Sequence, residues 1–205
     1  MKKIIFIWCL IFAQATAIEA QTQQQIRQIL DKTAATVCKK SGTTAKFTIE
    51  VEKQGKTSGE ILLKGKMFRI RTPEALMWFD GKTQWTYLKN ADEVNLTTPT
   101  AQQQGTMNPY AFVSLYKKGY TYSMKKDKKG NYIINLKAQN AQSHWPEACI
   151  TISKTTYIPL QIKMRQRNNN WTNISISDFK AKNLSAALFK FDAKQYPSAE
   201  IIDLR

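Results

Sequence analysis

From residue 21 to residue 40 the apolar positions of this chain recur every third or fourth residue, and beyond residue 46 every second one. Ile26, Ile29, Leu30, Thr33, Ala34 and Val37 stand at helical spacing with polar residues between them, which predicts a helix over Gln21–Lys40 closed by Ser41-Gly42. Phe47, Ile49 and Val51 then alternate with Lys46, Thr48, Glu50 and Glu52, as in a strand with one wet face. The same alternation, punctuated by turn residues, predicts strands over Ser58–Lys64, Met67–Thr72, Ala75–Phe79, Thr83–Leu88 and Glu93–Leu96. It resumes over Gly119–Lys125, Asn131–Ala138, Ala148–Ser153, Leu160–Gln166 and Trp171–Phe179. Asp80-Gly81 is a strong hairpin signal between two of these.

Between the two runs of strands the alternation lapses. Residues 97–107 are polar, and Asn108-Pro109 opens a short helix over Pro109–Tyr116, with Asn108 as its cap and Pro109 at its first position. Ser185–Leu188 reads as a helical turn, followed by extended chain. The sum is an α+β, mostly β chain of about eleven short antiparallel strands, and long meanders of this kind curl into barrels or open half-barrels. No linker or second domain interrupts residues 21–205.

The first residues follow a different logic. Met1-Lys2-Lys3 precedes an apolar run, Ile4–Ala13, and then the small residues Ala15-Thr16-Ala17. That order describes a signal peptide over residues 1–20, cleaved after Ala17 or, by our preference, after Ala20. The apolar run is half the roughly 20 residues needed to span a bilayer. Trp8 occupies the place before Cys9 where a lipid-modified cysteine has a small residue. The reading is an exported protein, expected to be monomeric.

Export changes the meaning of the charge. The chain carries +16, and losing Lys2, Lys3 and Glu19 lowers that by one. An exported protein rarely meets nucleic acid, so the expected acidic partners are anionic headgroups in transient membrane contact, an acidic protein surface, or solvent. Cys38 and Cys149 leave two readings open: one disulfide in an oxidising compartment, or two buried thiols.

Catalytic signals are thin. His144 is the single histidine and sits in a loop-like stretch, Gln142-Ser143-His144-Trp145-Pro146. No metal-ligand spacing, nucleophile elbow or phosphate loop is present, so neither an enzyme, a metal nor a cofactor is expected. Apolar surface is abundant instead. One face of a curved sheet lined by such residues would bury hydrocarbon at about 0.8 kcal/mol per methylene.

Several segments resemble a known family. Gly59-Glu60-Ile61-Leu62-Leu63-Lys64 followed by Met67-Phe68-Arg69-Ile70 resembles an early strand pair of periplasmic outer-membrane lipoprotein carriers, the LolA family. Asp80-Gly81-Lys82-Thr83-Gln84-Trp85-Thr86-Tyr87 resembles that family's Asp-Gly hairpin, the most specific of the matches. Asn108-Pro109 resembles the start of its mid-chain helix, and Pro197-Ser198-Ala199-Glu200-Ile201-Ile202-Asp203 its closing segment, with Ala199 in place of a glycine. The resemblance implies an unclosed antiparallel β-barrel with helices lidding a concave apolar face. It implies a carrier of acylated lipoproteins, loaded by an inner-membrane exporter and unloaded to an outer-membrane acceptor, without a cofactor. The alternative on the same fold is a carrier or sensor of another lipid or glycolipid. Alternation and the hairpin match together nominate Phe47, Ile49, Phe68, Ile70, Trp78, Trp85, Tyr87, Phe112, Leu115, Ile134, Leu136, Ile162 and Met164 for the concave, lipid-binding lining. Lys64 stands where many carriers have an arginine that bonds the lid, and is the expected lid contact.

Overall fold

The computed structural model describes residues 23–100, 115–117, 119–126, 130–140 and 142–205. The export segment, Phe112 and most of the expected mid-chain helix lie outside the described residues. At the expected end of that helix the described residues form a 3-10 turn, Leu115–Lys117.

Residues 23–37 form the helix expected from their periodicity, here α1. Ile26, Ile29, Leu30, Thr33 and Val37 are its buried positions, at the 3-4 spacing that places side chains on one face. The exit at Gly42 has φ +121°, and a Cβ there would stand 2.8 Å from the Leu184 side chain, so glycine alone fits.

The strands follow as β1 (Thr43–Val51), β2 (Gly55–Lys64), β3 (Met67–Arg71), β4 (Ala75–Phe79), β5 (Gln84–Leu88) and β6 (Glu93–Thr97). After the mid-chain segment come β7 (Tyr120–Lys126), β8 (Tyr132–Ala138), β9 (Glu147–Ile152), β10 (Pro159–Arg165) and β11 (Trp171–Ala181). A twelfth, β12 (Glu200–Asp203), lies in the tail that the sequence suggested was merely extended. All join one sheet in the order β12-β6-β5-β4-β3-β2-β1-β11-β10-β9-β8-β7. The end strands β12 and β7 do not pair with each other, so the sheet is unclosed, as expected. Every pairing is antiparallel except β12 with β6, which is parallel and needs the long tail to cross the sheet first.

Register decides which side chains share a face. Ile49 lies opposite Ile174, Ile174 opposite Ile162, Ile162 opposite Ile150, and Ile150 opposite Ile134. This row of isoleucines crosses five strands on the inner face and packs under α1 in one core with Ile26, Ile29 and Leu30. A smaller cluster of Val37, Leu63, Phe68 and Phe79 continues that face toward the helix exit.

Beyond β4 the apolar side changes. The inner positions of β5 and β6 are Gln84, Thr86, Asn95 and Thr97, whereas Trp85, Tyr87, Val94 and Leu96 face outward. The tail covers them through two 3-10 turns, Ala186–Phe189 and Ala193–Gln195, capped by the Ser185 and Asp192 side chains. Phe191 and Tyr196 meet the Trp78 ring edge-on at 5.5 and 5.7 Å, and Tyr196 lies 4.7 Å from Tyr87.

Candidate apolar binding site

Between α1 and the inner face of β1, β2, β3, β10 and β11 lies a half-open cavity of about 340 Å³. Phe47 and Ile49 of β1, Ile61 and Leu63 of β2, Ile70 of β3, Ile162 and Met164 of β10, and Ile174 and Ile176 of β11 form its walls. Val37 of α1 and Trp145 close it from above and from one side. Lys46 and Thr172 are its two polar neighbours. The Lys46 ammonium is held 2.8 Å from Asp178, each more than half exposed, and the Thr172 hydroxyl accepts from Gln166 Nε2 at 3.3 Å. The lining therefore offers hydrocarbon contact and little else. A long apolar chain is stabilised in such a space by desolvation and dispersion, not by directed bonds.

Local sequence explains the wall. Gly59 faces inward on β2, and a Cβ there would come within 2.7 Å of the Phe47 ring and 2.2 Å of the Arg71 carbonyl. Its absence lets Phe47 lie across β2. Trp145 is held by its backbone: its carbonyl accepts from Tyr120 Oη at 2.8 Å and from Ser143 Oγ at 3.2 Å, and His144 packs edge-on against the indole at 4.8 Å. The single histidine thus sits in the packing of this loop.

The cover is tied down by side chains. Gln23 Nε2 donates to the Tyr122 carbonyl at 2.9 Å, and Tyr116 Oη to Asp31 at 2.5 Å. Lys32 Nζ lies 5.0 Å from the centre of the Tyr157 ring. Burial first, and the Asp31 carboxylate second, hold the Tyr116 hydroxyl well above its ordinary titration range.

Of the residues nominated from sequence, Phe47, Ile49, Ile70, Ile162 and Met164 stand on the cavity wall. Ile134 and Leu136 are on the inner face but wholly packed beneath α1, and Phe68 is stacked on Phe79 at 5.2 Å in the smaller cluster. Leu115 opens the 3-10 turn; its side chain, like Phe112, lies outside the described residues.

Trp78, Trp85 and Tyr87 are a correction. Arg69, Trp78 and Trp85 are cross-strand partners, and Leu76 pairs with Tyr87, which puts all of them on the outer face. The cause is β4, Ala-Leu-Met-Trp-Phe, apolar on both sides, so that alternation does not tell inside from outside. Arg69 lies 5.6 Å from the Trp78 ring centre, and the tail completes the cover.

Lys64 is the residue expected to contact the lid. Its Nζ donates to the Leu184 carbonyl at 2.6 Å and to that of Ser41 at 3.4 Å, so it joins the tail to the helix exit. The two cysteines lie on opposite faces of the sheet. Cys38 packs with the inner Val37–Phe68 cluster, whereas Cys149 lies opposite Asn135 and Lys163 on the outer face, and no disulfide links them. Burial raises the titration point of the Cys149 thiol.

Sequence reasoning passed over Ile61, Leu63, Ile174, Ile176 and Trp145. The four aliphatic positions carry the same alternation as Ile49 and were findable by it. Trp145 comes from a loop, where periodicity is silent.

The chain is similar to several known proteins. The family model of outer membrane lipoprotein carrier protein LolA matches residues 16–168. An uncharacterized conserved protein from Thermus thermophilus is similar in structure, with TM-score 0.60 and 13% identity over 87% of this chain and 99% of that one. A LolA superfamily protein from Nitrosomonas europaea matches with TM-score 0.45 and 10% identity, over 81% of this chain and 97% of that one. A putative outer membrane lipoprotein-sorting protein domain from Vibrio parahaemolyticus matches with TM-score 0.43 and 13% identity, over 80% and 95%. Among curated proteins, none matches the sequence.

Proposed function

The chain belongs to the outer membrane lipoprotein carrier protein family, and from that premise we propose that it carries acylated lipoproteins across the periplasm with their acyl chains in the cavity under α1. The observation that carries this reading is the chemistry of the wall: aliphatic and aromatic side chains, with both polar neighbours already engaged. A volume of about 340 Å³ lies at the low end of the roughly 300–1,000 Å³ typical of small-ligand sites. A full lipid anchor therefore needs more room, which α1 supplies by moving off the inner face. The ties to Tyr122, Tyr116 and Tyr157 set the cost of that movement. Binding that must open a cover is weaker than binding to an open groove, and a carrier that hands its cargo on works with such moderate affinity.

The test is native mass spectrometry of residues 21–205 with a triacylated lipoprotein and with the same lipoprotein stripped of its acyl chains. A 1:1 complex with the acylated form alone is expected. Ile49→Asp, on the wall but only partly buried, should abolish it, while Leu88→Asp, exposed and away from the cavity, should not. Equal binding to both forms, or to neither, sinks the reading. Capture of free phospholipid or glycolipid with no lipoprotein complex would select the carrier of another lipid on the same fold.

A further inference from the structure

The end of the sheet where β10 turns into β11 is different on its two faces. Four outer-face residues form a cross-strand row there: Lys137 of β8 pairs with Glu147 of β9, Glu147 with Arg165 of β10, and Arg165 with Trp171 of β11. Beside the first three of these residues is an open cleft of about 520 Å³, bordered by Lys137, Arg165, Arg167 and Glu147. Glu147 is bonded to Arg165 at 2.7 Å. The Arg167 guanidinium donates to a neutral partner, Gln142 Oε1, at 2.7 Å, so it is oriented without being neutralised. Trp171 is 39% exposed. The β1–β2 turn, with exposed Lys53 and Lys56, lies at the same end, because Val51 pairs with Thr172. Trp171 itself lines a separate hollow beside that cleft, with Lys163, Glu50 and Glu52, and its amide donates to Glu52 Oε2 at 3.2 Å.

The immediate chain neighbours of these residues face the other way. Trp145 precedes Pro146 of the cleft, Met164 precedes Arg165, and Thr172 follows Trp171; all three line the acyl cavity. Successive strand residues point to opposite faces. One end of the sheet therefore carries the apolar cavity inside and a basic cleft with an exposed indole outside.

We propose that this end docks on an anionic phospholipid surface. Lys137 and Arg167 meet lipid phosphates, and Trp171 sits at headgroup depth, where an apolar ring with a polar edge is favoured. Contact there places the cavity beside the bilayer from which an acyl chain enters or into which it leaves. The purpose rests on the carrier reading; the docking itself does not.

Co-sedimentation of residues 21–205 with vesicles of phosphatidylcholine alone, and of phosphatidylcholine with phosphatidylglycerol, tests it. Binding is expected only to the second. Each basic residue at a membrane surface is worth about fivefold, so Lys137→Gln with Arg167→Gln should weaken binding roughly 25-fold. Lys66→Gln with Lys182→Gln, the same charge change at the opposite end of the sheet, should leave it within about twofold. Trp171→Ala should weaken it too, with the fold intact because the ring is exposed. Equal losses for both double variants would overturn the proposal in favour of diffuse charge. So would release by inorganic phosphate at constant ionic strength, which marks a small-anion pocket. Failure of every variant to capture acylated lipoprotein, with docking unchanged, would remove the carrier reading and leave this one standing.

Discussion

The two halves of this sheet bury opposite faces. From β8 through β11 to β1, the inner face is apolar and α1 covers it; at β5 and β6 the outer face is apolar and the C-terminal tail covers it. The exchange happens at β4, whose Leu76 and Trp78 are buried outward while Met77 and Phe79 point inward. The covers differ in kind. α1 lies over a cavity and is held by a few polar ties, whereas the tail fills its face with Phe191 and Tyr196 and ends by adding a strand. One cover leaves space beneath it, and the other completes a core.

If that contrast is right, the outer cluster governs stability and the inner one governs binding. Trp78→Ala, at a site only 4% exposed and ringed by aromatic partners, should cost about 3–5 kcal/mol. Urea unfolding measures that loss, and at a temperature where the variant stays folded its capture of acylated lipoprotein should be unchanged. Lost capture with normal stability would break the comparison and return Trp78 to the binding site. Ile162→Ala, on the cavity wall, should cost less, near the lower end of the roughly 2–5 kcal/mol seen for such truncations, since one side of the residue already faces empty space. Its effect on acyl capture should be the larger of the two.

The same contrast explains what could be read from the sequence. Strands with one wet face announced their inner side: Ile49 and Ile162 alternate with charged or polar residues and lie where periodicity places them. The hairpin at Asp80-Gly81 was legible because its turn is local chemistry, with Asp80 Oδ1 accepting from the amides of Lys82 and Thr83. The side of Trp85 and Tyr87 was not, because it is decided by a tail a hundred residues away. β12 escaped for the same reason: four residues pair in parallel with β6 only after that tail has crossed the sheet. Trp145 reaches the cavity from a loop held by Tyr120 and Ser143, a tertiary arrangement with no period.

Tyr116 sharpens the comparison from the side of the cover. Removing its hydroxyl in Tyr116→Phe should cost about 1.5 kcal/mol, the loss of a hydrogen bond to a charged group. The native titration point is raised above the ordinary 10.0, so the neutral form is the stabilised one. The stabilisation is complete below pH 10.0 and falls as pH rises from there toward the native value. Tyr116→Phe should remove that part of the alkaline slope. The same variant should speed acyl uptake, because α1 then leaves the inner face more readily; an unchanged uptake rate would mean that the tie to Asp31 plays no part in opening.

Lys64 belongs to both regions and should show the smallest effect. Its ammonium bonds the Leu184 carbonyl, where the tail begins, and the Ser41 carbonyl, where α1 ends, and the Leu184 amide in turn donates to Ser41. Lys64→Met keeps the stem and removes the bonds. Because the group is only partly buried, the loss should be about 1 kcal/mol. Lys64→Arg, which retains donors and charge, should recover most of it. Hydrogen exchange locates the consequence: the Leu184 amide should lose protection, while the amides of Glu200 and Leu204, bonded to Asp92 and Leu96 at the far end of the tail, should keep theirs. If all three amides loosen together, the tail is one cooperative unit with the helix exit, and the two covers are coupled rather than separate.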